Sequence, residues 1–124
     1  MARILIVDDD ADLVEDCRRV LEGAGHRVRA AHSASAGKAA VEAETPDLMV
    51  LDVMMERPDD GIVLARELRA AGSAFPIVML TSLGAVTGLS YGCSDDLLPV
   101  DAFLDKPVQP AELLRVVAKH LQGR

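Results

Sequence analysis

Four short apolar runs, each ending on polar residues, punctuate the chain. Ile4-Leu5-Ile6-Val7 runs into Asp8-Asp9-Asp10, and Leu48-Met49-Val50-Leu51 ends at Asp52. Ile77-Val78-Met79-Leu80 ends at Thr81, and Ala102-Phe103-Leu104 passes through Asp105 to Lys106-Pro107. Unbroken apolar runs of this length suit strands covered on both faces, as in a parallel sheet. Between the runs the period lengthens. Leu13, Val14, Cys17, Val20 and Leu21 share one helical face, and Gly23 and Gly25 stop that helix. Residues 27–31 read as a shorter, more polar strand at a sheet edge. Residues 33–44 read as an Ala-rich helix broken by Thr45-Pro46. A helix at about 61–71 carries Leu64, Ala65 and Leu68 and stops at Gly72. Pro110 opens the last helix, whose apolar face carries Leu113, Leu114, Val117 and Leu121.

Strands at 2–7, 27–31, 47–52, 76–81 and 101–105 thus alternate with helical crossovers. That order predicts an α/β fold, a doubly wound (βα)5 unit with a five-stranded parallel sheet, and a single domain over residues 1–124. The weak stretch is 82–100, where a helix should lie but Gly84, Gly88 and Gly92 intervene. Each glycine costs about 1 kcal/mol in a helix interior, so this helix is expected to be short, frayed or displaced. Leu97-Leu98-Pro99-Val100 then has two readings. It covers the core where the helix is shortened, or it is a contact patch for a partner or for a second copy in a homodimer.

Composition narrows the function. Half the residues are apolar, but there are only two Phe, one Tyr and no Trp, so the core must be aliphatic. The net charge is -7 with scattered basic residues, which argues against direct nucleic-acid binding. The first apolar run is too short for a signal peptide or a membrane span. Cys17 lies on an apolar helical face and Cys93 in a Gly/Ser-rich stretch, without metal spacing. Such cysteines suit a reduced, cytoplasmic setting.

In an open parallel sheet the carboxyl ends of the strands line one crevice where ligands bind. Three carboxylates, a hydroxyl and an ammonium would converge there, a set suited to phosphoryl transfer. The adjacent carboxylates Asp8 and Asp9 repel each other, and a divalent cation such as Mg2+ resolves this. Helix capping is the plainer alternative; it explains Asp10 well but not all three. Asp52 has the place of a metal ligand, a nucleophile, or both, with a simple strand-end turn as the alternative. Thr81 offers a hydroxyl to a phosphoryl oxygen, and Ser82 beside it leaves room. Lys106 supplies a point positive charge for a phosphate oxygen or for Asp52. The Lys106–Pro107 bond is a candidate cis peptide.

Taken in order and spacing, the acidic pair, "LDVMM" around Asp52, Thr81-Ser82 and "FLDKP" at 103–107 resemble the receiver domains of two-component response regulators. The resemblance covers the whole chain and implies a flavodoxin-like sheet in the order 2-1-3-4-5. It implies that Asp52 accepts a phosphoryl group from a histidine kinase or histidine phosphotransfer protein. It implies Mg2+ bound directly by Asp9, Asp52 and the Met54 backbone carbonyl, with Asp8 acting through a water. It implies a switch pair, Thr81 and Phe103, whose movement alters a surface read by a downstream effector. The only chemistry would be phosphorylation and dephosphorylation of its own Asp52, not turnover of an outside substrate.

The chain departs from the family's pattern at three places. Glu56 stands where proline is usual, and "ERPDDG" is one residue longer. The interval from Thr81 to Lys106 is also longer. No output domain follows, so the effect is expected to pass to another protein. Two other readings compete. Asp8-x-Asp10 also resembles the start of haloacid-dehalogenase-type phosphatases, with Asp8 as nucleophile. There Asp12 stands where that motif prefers Thr, and Asp52 and Lys106-Pro107 go unexplained. A receiver-like docking module that works without phosphorylation is the other.

Overall fold

A computed structural model of the chain describes residues 2–53, 55, 60–82 and 100–121, Ser82 by its backbone alone. Its elements run β1 (Arg3–Val7), α1 (Ala11–Gly23), β2 (Arg27–Ala31), α2 (Ala34–Ala43), β3 (Leu48–Asp52), α3 (Asp60–Ala70), β4 (Ile77–Ser82), β5 (Ala102–Lys106) and α4 (Pro110–Leu121). All strand pairs are parallel, and the sheet order is β2-β1-β3-β4-β5. The fold is therefore the flavodoxin-like one expected, with element ends shifted by a residue or so. Several readings fall outside the described residues: the Met54 carbonyl, the Ser82 side chain, the loop around Glu56, Cys93, and the stretch 83–99 with its glycines and Leu97 to Pro99.

Strand alternation sorts the core into two layers. Leu5, Val7, Met49, Leu51, Ile77 and Met79 face one cluster with Leu64, Ala65 and Leu68 of α3. Ile4, Ile6, Leu48, Val50, Val78, Leu80 and Leu104 face the other with Val14, Cys17 and Leu21 of α1 and Leu113, Val116 and Val117 of α4. The three central strands are buried on both sides, which is why their sequences read as unbroken apolar runs. Each fully buried Leu or Ile contributes about 2 kcal/mol. In α4 the buried positions are Leu113, Val116 and Val117. Leu114 and Leu121, placed on the same face by sequence, are only partly buried beside them.

The polar character of β2 also has a cause. It is an edge strand, and Arg29 donates to the Ala40 and Glu44 carbonyls at the end of α2 (3.1 and 2.5 Å). Asp10 caps α1 by accepting from the Asp12 and Leu13 amides (3.1 and 3.2 Å). Ser33 caps α2 through the Ala36 amide at 3.1 Å. No described helix is long and apolar enough to cross a membrane.

Candidate functional site

The same alternation that sorts the core aims the site. Even-numbered residues of β1, β3, β4 and β5 face α1 and α4. Continuing that parity past the strand ends puts Asp8, Asp52 and Lys106 on this face. The register confirms their neighbourhood, since Val7 lies beside Leu51, and Ser82 beside Lys106. Lys106 Nζ sits 3.2 Å from Asp8 Oδ2 and 3.2 Å from Asp52 Oδ1. Asp8 is 0% exposed and Asp52 3%. The exposed Asp9 completes a group in which one carboxylate oxygen each from Asp8, Asp9 and Asp52 lies within 4.8 Å of the others.

Burial and charge set the state of these groups. Burial, then the neighbouring Asp8 charge, push the Asp52 carboxyl up to about 6, against the pull of Lys106. Burial alone would lower the Lys106 ammonium, but Asp8 and Asp52 together outweigh it and hold it above its ordinary value. Cys17, beneath on α1, is pushed up to about 11 by burial and then by the Asp8 charge. A buried pair of carboxylates facing one ammonium leaves an excess negative charge, and Asp9 adds another. Asp8 Oδ2 is buried, 3.2 Å from Lys106 Nζ, and has no directional hydrogen bond among the described residues. An oxygen-rich, over-negative cluster with an under-used buried oxygen is what a hard divalent cation requires, so the donor set fits Mg2+.

Thr81 and Phe103 lie on the opposite parity. Phe103 packs against the layer that holds Met79 and α3. Met79 pairs with Phe103 and Thr81 with Asp105, so Thr81 and Phe103 are diagonal neighbours on that face. Thr81 is buried at 4% exposure. The Lys106–Pro107 peptide is cis.

Some residues that shape the site were not singled out by sequence. Gly61 is one. Its amide donates to the Val53 carbonyl at 2.8 Å, and a Cβ there would lie 1.9 Å from the Asp52 carbonyl oxygen. Only glycine lets α3 start this close to Asp52; the Asp60-Gly61 dipeptide is a turn signal, but nothing in it announces the contact. Away from the site, a clamp also passed unmarked by the sequence pattern joins the opposite ends of β4 and β5. Arg69 donates to the Ser73 and Phe75 carbonyls (3.0 and 2.7 Å) and to Asp101 Oδ2 (3.0 Å), which also accepts from the Ile77 amide at 2.8 Å.

Known proteins resemble this chain in sequence and fold. Residues 4–118 match the family profile of the response regulator receiver domain. The response regulator MprA of Mycobacterium tuberculosis is 40% identical over 116 residues, covering 90% of this chain and 47% of that protein. The chain thus spans about half the length of the curated relatives it matches. A CheY-like response regulator receiver domain protein from Methanospirillum hungatei superposes with a TM-score of 0.83 at 28% identity, covering 99% of this chain and 95% of the other. The receiver domain of NtrX from Brucella abortus gives 0.77 at 26% identity, over 98% of this chain and 99% of the other. The chain belongs to the receiver domain family of two-component response regulators.

Proposed function

We propose that residues 1–124 act as one receiver unit in which Asp52 takes a phosphoryl group from the phosphohistidine of a kinase or phosphotransfer protein. The observation that carries this is the setting of Asp52: a nearly buried carboxylate at the end of a central strand, 3.2 Å from an ammonium and within a carboxylate cluster. In the transfer, an Asp52 carboxylate oxygen forms a bond to phosphorus as the bond from phosphorus to the donor's imidazole nitrogen breaks. The nucleophile is the anion; burial and the Asp8 charge raise the Asp52 carboxyl to about 6, against the pull of Lys106.

Mg2+ would be held directly by Asp9 and Asp52, with Asp8 acting through a water, and would supply neutralisation of charge on the phosphoryl oxygens. Lys106, already poised between Asp8 and Asp52, exchanges its carboxylate contact for a phosphoryl oxygen. Thr81 donates its hydroxyl to another. The shift of Thr81 loosens the packing beside Phe103, and the ring turns inward. A downstream effector reads the altered surface, in the cytoplasm. The chain turns over no outside substrate; it changes only its own Asp52.

Acetyl phosphate with Mg2+ tests this. Intact-mass spectrometry should show one added phosphoryl group on the parent chain and none on Asp52→Ala. An Asp52→Ala chain labelled as fully as the parent would overturn the assignment.

A further inference from the structure

We propose that His32, on the β2–α2 turn, is a positioning residue that locks the backbone of Asp8 in place for cation binding. The inference rests on the reading of Asp8 as part of a Mg2+ site, and its test separates the two.

The paired register of β1 and β2 ends at Val7 opposite Ala31. One further backbone bond follows, from the Asp8 amide to the Ala31 carbonyl at 3.1 Å. The chain then leaves the sheet, because Ser33 caps α2 with φ -154° and ψ 165°. A side chain takes over where the ladder stops. His32 Nδ1 lies 3.2 Å from the Asp8 carbonyl oxygen. That oxygen can only accept, so Nδ1 carries the hydrogen, and the tautomer is set by the contact.

Asp8 is consequently held at four points. Its amide binds Ala31, its carbonyl binds His32, its Oδ1 accepts from the Asp10 amide at 2.9 Å, and its Oδ2 faces Lys106. The Asp10 and Lys106 contacts act on the side chain. Without His32, the carbonyl end of Asp8 loses its fixed donor and the peptide leading to Asp9 can rotate. Two carboxylates of the cluster, Asp8 and Asp9, hang on that peptide. Groups outside the ligand shell that orient ligands in this way commonly change metal affinity by roughly 10–100-fold. His32 is exposed, so the lower end applies.

The test compares the parent chain with His32→Ala, His32→Asn and His32→Gln. Asn Nδ2 stands as many bonds from the backbone as His Nδ1 and can restore the donor; Gln Nε2 stands one bond too far. In Mg2+ titrations read by thermal shift, His32→Ala should need about tenfold more Mg2+ at the midpoint. His32→Asn should come within about threefold of the parent, and His32→Gln should behave like His32→Ala. Thermal midpoints in EDTA should stay together. In EDTA, amide exchange at Asp8 should be several-fold faster in His32→Ala than in the parent, and normal again in His32→Asn. Unchanged Mg2+ affinity with unchanged exchange in His32→Ala would overturn the inference, as would an Asn variant as weak as the Ala variant. A parent chain with no Mg2+-dependent shift would sink the metal-site reading instead, while the exchange data still decide whether His32 holds Asp8.

Discussion

Replacing Asp52 by Asn should stabilise the metal-free chain, and should do so only where Asp52 would be charged. Folding raises the Asp52 carboxyl from 3.8 to about 6, so the folded chain keeps this proton longer than the unfolded one. The stability that the proton confers is complete below about pH 3.8 and is lost as pH rises through about 6. A shift of roughly two units at 1.36 kcal/mol each corresponds to about 3 kcal/mol of self-imposed strain at neutral pH. That figure already includes the attraction of Lys106, and local relaxation reduces it. Asn has the shape of the neutral acid and carries no such charge. In EDTA, the difference in unfolding free energy between Asp52→Asn and the parent should be near zero at about pH 4. It should grow to between 2 and 3 kcal/mol, about 10 °C in Tm, at about pH 7.5. Urea denaturation followed by far-UV circular dichroism across this range measures it. Adding Mg2+ to about 100 times its Kd should raise the parent by about 2.7 kcal/mol and leave Asp52→Asn nearly unmoved, closing the gap. A variant whose advantage does not change between the two pH values would refute the electrostatic account. So would a variant less stable than its parent at neutral pH without metal.

Gly61→Ala should lower stability by about 3 kcal/mol and reduce acetyl phosphate labelling of Asp52, because the new Cβ meets the Asp52 carbonyl; urea midpoints and intact-mass labelling would show both. Arg69→Ala should cost about 2 kcal/mol in denaturant unfolding, since it frees the Ser73 and Phe75 carbonyls and half of the Asp101 contact, and Arg69→Lys should recover little of that because an ammonium has no fork. In a Cys93→Ser background, Cys17 should resist a thiol reagent at about pH 8 and react only as the chain unfolds, because burial holds its thiol near 11; rapid labelling of the folded chain would contradict this.

Much of this was legible because a strand covered on both faces tolerates polar residues only at its ends. Asp8, Asp52, Thr81 and Lys106 were marked by the apolar runs before them. The edge position of residues 27–31 was legible for the converse reason, since Arg27 and Arg29 could not be buried in a central strand. What stayed hidden depends on contacts between distant elements. Val116 is buried while the larger Leu114 is only partly so, because helical spacing rather than residue size sets the buried face. Gly61 looks like any turn glycine until α3 is seen against the Asp52 carbonyl. Arg69 and Asp101 are ordinary charged residues until the fold brings them to 3.0 Å. His32 gives no periodic signal at all; its role arises because β2 ends one residue before β1 needs its last donor.

The two-sided sheet has a bearing on protein engineering. The charged triad of Asp8, Asp52 and Lys106 stands over the layer packed by α1 and α4, whereas Phe103 stands over the layer packed by α3. Substitutions without shared contacts combine additively. A combinatorial library that repacks Leu64 and Leu68 of α3 therefore explores the layer on the Phe103 side while leaving the packing under the charged triad in place. A second library at Val14 and Cys17 would do the reverse. The receiver can be retuned one storey at a time.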